Sequence, residues 1–154
     1  MTLHAGQVDK AGAPYWHHLD RVARRLVERF PDATRAQVHA ALLHDALEDT
    51  PVTPAGLAAF GVPPDVIRTV QLVSRRGALD PALSYLAWIR AIADTGSVDA
   101  IRVKLADMGE ANASPDLDNS DPARPHPARE RMMREKYEPA RAILEAALAL
   151  RPPD

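Results

Sequence analysis

Within His44-Asp45-Ala46-Leu47-Glu48-Asp49, one imidazole and three carboxylates interrupt the most apolar helical stretch of the chain. Withdrawing ionised carboxylates from water is expensive even after relaxation, so such a group of heads needs ion pairing, a water-filled cleft or a cation. On a helix His44 lies over Glu48 and Asp45 over Asp49, and Asp45 and Glu48 are three apart, so the four heads share one volume. A capped or salt-bridged helix end with Glu48 and Asp49 in solvent is the plainer account. Against it, carboxylates at a helix C-terminus oppose the macrodipole, and Ala40 to Leu43 and Ala46-Leu47 flank His44-Asp45 with apolar surface. The stretch reads as a metal site, and because the chain has no cysteine, nitrogen and oxygen must hold the ion.

Two further pieces carry chemistry. In the preceding helix His17 and His18 compete as a ligand: His18 shares an apolar stripe with Leu19 and Val22, and His17 shares a face with Arg21 and Arg24. A lone histidine on an apolar face is more often a satisfied core residue, and only the patch at 44 to 49 argues for more. Further on, Asp107 interrupts the apolar run Val103-Lys104-Leu105-Ala106-Asp107-Met108. Taken alone it reads as a helical ion pair with Lys104, three residues before it. His39 and His126 read as surface residues, and His4 is uninformative.

These groups need a scaffold, and the pattern predicts helices alone. With 154 residues the chain suits a single domain, 1–154, large enough for a real core. Aromatic and β-branched residues are sparse, while Ala, Leu, Arg and Glu abound. Residues 1–13 form a lead-in. A first helix starts near Pro14 or Tyr15, carries Tyr15, His18, Leu19, Val22, Ala23, Leu26, Val27 and Phe30 on one stripe, and ends at Phe30-Pro31-Asp32. The second runs from an N-cap at Thr34 to Asp49, apolar nearly all round and therefore central, and Thr50-Pro51 stops it. A short helix follows from Thr53-Pro54 to Phe60, and another opens at Pro63-Pro64-Asp65 and gives out near Ser74 to Gly77. Another starts at Asp80-Pro81 and ends at Gly96, and Ser97 caps the next, through Met108. Residues 114–127, rich in Pro, Asp, Ser and Asn, form a long loop, and 128–150 a last helix.

A formal net charge of −2 gives no basic field for a nucleic-acid partner. No window nears the roughly 18 apolar residues of a membrane span, and Met1 to Lys10 lacks the layout of a signal peptide, so a soluble cytoplasmic protein is expected.

Gly12-Ala13-Pro14-Tyr15-Trp16-His17-His18-Leu19, then Ala41-Leu42-Leu43-His44-Asp45-Ala46-Leu47-Glu48-Asp49-Thr50, then Lys104-Leu105-Ala106-Asp107-Met108 occur in an order that resembles the HD-domain metal phosphohydrolases. Within them the likeness is to the hydrolase domain of RelA/SpoT-type alarmone enzymes and the small stand-alone ppGpp hydrolases. Tyr85-Leu86-Ala87-Trp88-Ile89 and Lys136-Tyr137 also look like small HD proteins. The resemblance implies an all-α HD-domain helical bundle of about six to seven helices. It further implies that His18, His44, Asp45 and Asp107 bind one divalent metal and that Glu48 and Asp49 assist the hydrolytic water.

Two imidazoles and two carboxylates suit Mn²⁺ better than a structural zinc. The implied partner is a small-molecule nucleotide, first of all (p)ppGpp cut at its 3′-pyrophosphate. Alternatives are an HD phosphohydrolase for a nucleoside mono- or triphosphate, or a non-catalytic nucleotide-binding module. Lys104 is the first candidate for the phosphates, followed by Arg21, Arg24, Arg75 and Arg76. Tyr85 or Trp88 could stack on a base or simply pack in the core. One departure stands out: the related pattern has an asparagine four positions after the aspartate, and here that place is Ala111, with Asn112 one later, about 100° round a helix. Either the helix has ended or bulged there, or the role of the asparagine is lost.

Overall fold

The computed structural model describes residues 5–8, 14–75, 84–109, 131 and 133–151. Among them the chain is an all-α bundle of seven helices and one additional single turn. In order these are α1 (Trp16–Arg29), α2 (Arg35–Leu43), the four-residue turn α3 (Ala46–Asp49), α4 (Pro54–Ala59), α5 (Pro64–Val73), α6 (Tyr85–Thr95), α7 (Val98–Met108) and α8 (Glu138–Ala149). No strand occurs among the described residues, and an isolated bridge joins Val8 and Pro14. None of the described helices is long and apolar enough to cross a membrane.

Local chemistry explains where most helices start. Thr34 caps α2 in a reciprocal box: its Oγ1 accepts from the Gln37 amide at 3.2 Å, and Gln37 Oε1 accepts from the Thr34 amide at 3.3 Å. Thr53, Ser84 and Ser97 accept in the same way at the starts of α4, α6 and α7. Pro54 and Pro64 sit in the first turns of α4 and α5, where their missing N–H costs nothing.

The hub is α7, which packs against α1, α2, α5, α6 and α8. Its Ala100, Ile101 and Val103 are inaccessible to solvent and meet Val22 and Leu26 of α1, Val70 of α5, Ile89 and Ile92 of α6 and Leu144 of α8 in one core. Next to it α2 lies between α1, α5 and α7, as its all-round apolar character predicts. Val27, placed on the buried stripe by periodicity, is half exposed instead. α8 secures the end of the hub: Arg141 donates to the Gly109 carbonyl at 2.8 Å.

Three helix boundaries depart from the pattern. The helix expected over 34–49 breaks after Leu43, and His44-Asp45 form a turn before α3 resumes at Ala46. The last helix, expected over 128–150, enters α8 through a π-helical segment, Met133–Tyr137. α7 stops at Met108, where Gly109 takes φ 64°, and positions 111 and 112 lie outside the described residues. The start expected at Asp80 and the loop over 114–127 lie outside the described residues.

Candidate metal centre

The break between α2 and α3 creates the site. In an uninterrupted helix the Ala41 carbonyl would accept from the Asp45 amide. Here it lies 2.7 Å from His44 Nδ1. A carbonyl only accepts, so Nδ1 carries a hydrogen, and Nε2 is the nitrogen that would offer a lone pair to a cation once it gives up its own proton. Asp45 then falls at φ −93° and ψ −3°, off the helical spiral, and its carboxylate turns to the same side as that lone pair.

Four ligand-type groups converge there from three parts of the chain. His44 Nε2 lies 3.0 Å from Asp45 Oδ2, 3.3 Å from Asp107 Oδ1 of α7 and 3.3 Å from His18 Nε2 of α1. His18 Nε2 in turn lies 3.5 Å from Asp45 Oδ2 and 3.7 Å from Asp107 Oδ1. His18, His44 and Asp45 offer ligand atoms all within 4.8 Å of one another. Atoms held about 2.1 Å from one small ion at octahedral or tetrahedral angles stand roughly 3.0 to 3.5 Å apart, so the spacing and N/O chemistry of His18, His44 and Asp45 fit a divalent cation, with Asp107 Oδ1 adjoining that group through the two imidazoles.

The electrostatics leave a role for such a charge. Burial opposes protonation of His44, but the Asp45 and Asp107 carboxylates outweigh it and hold its pKa well above the usual imidazole range. Burial likewise opposes charge on Asp45, and His44, His18 and Tyr15 overcome it, keeping the group ionised well below the ordinary range. For Asp107 burial is overcome by Lys104 and then His44, again downward. The two carboxylates are thus balanced by the proton on His44 and by Lys104, and a divalent ion could take the place of that proton.

Each carboxylate is held from behind. Lys104 Nζ donates to Asp107 Oδ2 at 2.7 Å, leaving Oδ1 toward the imidazoles. Lys104 is 8% exposed, and burial, which would discharge it, is outweighed by Asp107, so its pKa lies above normal. The Tyr15 hydroxyl makes a short hydrogen bond to Asp45 Oδ2 and lies 3.1 Å from Asp49 Oδ2. Burial, then the Asp45 charge, pushes the Tyr15 phenol up, so it stays a donor. Sequence reading placed Tyr15 on the buried stripe and missed this contact, although a hydroxyl three residues before His18 on that stripe was the available signal. Gln7, in the stretch read as a lead-in, donates through Nε2 to the Asp49 carbonyl at 2.9 Å and accepts from the Tyr15 amide at 3.0 Å; nothing in the sequence pointed to it.

The other expected site residues are spread more widely. Glu48 and Asp49 do not act as one pair: Glu48 Oε1 accepts from the Arg75 amide at 2.7 Å, at the far end of α5, and Asp49 faces Tyr15. Arg75 holds its guanidinium 5.6 Å over the Trp88 ring. Arg24 is exposed and pairs with Asp20 at 2.8 Å along α1, and Arg21 is partly buried on the same helix. His17 stacks on Trp16, and His39 is half-buried on α2. Trp88 is buried, and Tyr85 packs edge-on against it. Arg76, Asn112, His4 and His126 lie outside the described residues.

No family model matches the chain, and no curated protein matches it either.

Proposed function

We propose that the protein is a divalent-metal-dependent phosphohydrolase of the HD type acting on a nucleotide, with (p)ppGpp cut at its 3′-pyrophosphate as the leading substrate. The observation that carries this reading is the convergence of His18 Nε2, His44 Nε2, Asp45 Oδ2 and Asp107 Oδ1, with both carboxylates braced by further donors. The ordered resemblance of the segments around residues 12–19, 41–50 and 104–108 supplies the reaction class. The ion expected from this donor set is Mn²⁺, and it would supply Lewis acidity toward a phosphoryl oxygen and the attacking water.

The protein's own groups divide the remaining work. His18, His44, Asp45 and Asp107 hold the charge; Tyr15 and Lys104 fix the two carboxylates so that one oxygen of each faces inward. Asp49, exposed and 3.1 Å from the Tyr15 hydroxyl, is placed to take the proton of the attacking water. Glu48 is engaged by the Arg75 amide and ties the α3 turn to the end of α5. Water adds to phosphorus, the bond to the 3′-oxygen breaks, the water's proton passes to Asp49 and the leaving oxygen takes one from solvent.

A panel of nucleotides incubated with the Mn²⁺-loaded protein tests this. Release of pyrophosphate from (p)ppGpp is the expected result. Inorganic phosphate from a 5′-ester would move the assignment to another nucleotide. Absence of turnover of any nucleotide by the metal-loaded protein with His44 and Asp45 intact would sink the reading.

A further inference from the structure

Among the described residues, Ser74 Oγ, Tyr85 OH and Trp88 Nε1 are buried with no hydrogen-bond partner, and Tyr85 and Trp88 lie on the Lys104 side of the cluster. Ser74 is fully buried and Trp88 is 3% exposed. Buried polar groups in folded proteins almost always find a partner, so these orphans call for one. The Tyr85 and Trp88 rings lie 5.7 Å apart, edge to face, and Arg75, next in the chain after Ser74, holds its guanidinium 5.6 Å over Trp88. Lys104 Nζ lies 4.5 Å from the Trp88 ring and Lys136 Nζ 4.3 Å from that of Tyr85.

The kind of partner follows from the donors. An indole N–H can only donate, so its partner must accept, and the hydroxyls of Ser74 and Tyr85 can donate to the same acceptor. The ring faces are already in use. Trp88 carries Lys104 and Arg75, and Tyr85 carries Lys136 and packs edge-on with Trp88 and Tyr137. A nucleobase stacked on either ring would have to displace a cation. What the pair still offers is its polar edges amid positive charge, which suits an oxyanion rich in acceptors.

We infer that Ser74, Tyr85 and Trp88, flanked by Lys104 and Arg75, form a phosphate-binding subsite adjoining the His-Asp cluster. This rests on the phosphohydrolase reading and deepens it: the substrate carries a phosphate group that this subsite holds through neutral donors, beside the Lys104–Asp107 pair and the Arg75 guanidinium. The same location supports the assignment, because the Tyr85 hydroxyl feels both Lys104 and Asp107, and burial pushes its pKa up to about 12, so it remains a donor at neutral pH.

The test uses the full chain with Mn²⁺ and inorganic phosphate and pyrophosphate as probes, in calorimetric titrations of wild type, Tyr85→Phe and Ser74→Ala. Both substitutions remove an unpartnered hydroxyl and keep the packing, so the ligand-free melting temperature should hold or rise. Affinity for at least one probe should fall about ten-fold in Tyr85→Phe, with the KM of any turned-over nucleotide rising equally and kcat little changed. Wild-type affinity and KM in both variants, or no binding of either probe by wild type, would overturn the subsite. Failure of the catalytic reading looks different. Phosphate binding that weakens in Tyr85→Phe without turnover of any nucleotide keeps the subsite and removes the enzyme, and turnover indifferent to both substitutions does the reverse.

Discussion

His44 Nδ1 donates to the carbonyl oxygen of Ala41 at 2.7 Å, three residues back in its own helix. That one bond fixes the tautomer of the ring, aims Nε2 at Asp45, Asp107 and His18, and takes up the carbonyl that would have continued α2. The end of the helix and the orientation of the ligand are one event. His44→Ala should therefore lower Mn²⁺ affinity by more than about a hundred-fold, beyond the loss typical of an outer partner. Elemental analysis of the purified variant and a Mn²⁺ titration measure it, and retention of wild-type affinity would remove His44 from the proposed cage.

Tyr15→Phe tests the brace behind Asp45. The ring contact with His18, centroids 5.4 Å apart, is kept, and the donor to Asp45 and the contact with Asp49 are lost. Mn²⁺ affinity should drop about ten- to hundred-fold while the fold is retained. An unchanged titration would mean that Asp45 needs no such support.

Lys104 poses a stability question, because its ammonium is buried against Asp107. Lys104→Met leaves a buried carboxylate without its cation and should cost about 3–5 kcal/mol in urea unfolding of the metal-free protein. Adding Asp107→Asn removes the stranded charge and should recover much of that loss. A double variant no more stable than the single one would show that the pair does not act as a unit.

Cation addition and removal act on the same balance. Mn²⁺ at about a hundred times its dissociation constant should stabilise the folded chain by about 2.7 kcal/mol, and excess chelator should return the melting temperature to its starting value. No shift with Mn²⁺, Mg²⁺ or Zn²⁺ would argue against a cation site.

A control lies at the C-terminal end of α6. Gly96 ends that helix at φ 78°, and a Cβ placed there would meet the Arg151 guanidinium at 2.6 Å. Gly96→Ala should cost about 1–2 kcal/mol for the left-handed conformation, more if Arg151 cannot move, and leave Mn²⁺ affinity unchanged. Calorimetry of both properties separates global destabilisation from damage to the site.

Much of the scaffold was written locally. Thr34, Thr53 and Ser97 announced their helices because a cap is a short-range bond, and His18 was separable from His17 because the stripe of α1 is regular. The break at His44-Asp45 was not legible, since a side chain competing for a backbone carbonyl leaves no trace in hydrophobic periodicity. The separation of Glu48 from Asp49 was hidden for the same reason: Glu48 answers to the Arg75 amide, a partner fixed only by the packing of α3 on α5. Tyr15 and Gln7 reach the site through contacts 30 or more residues away in sequence, where pattern carries no information.

The cluster draws on α1, the turn after α2 and α7, and the hub helix must be seated before Asp107 meets His18. Closing so long a stretch of chain is entropically costly and belongs late in assembly. Unfolded, the chain offers a cation little beyond the neighbouring His44 and Asp45. An ion captured there is thus a latch on the finished topology and not a seed for it: it should slow unfolding far more than it speeds folding, and the resistance of the bundle to opening becomes a property of the ion supply.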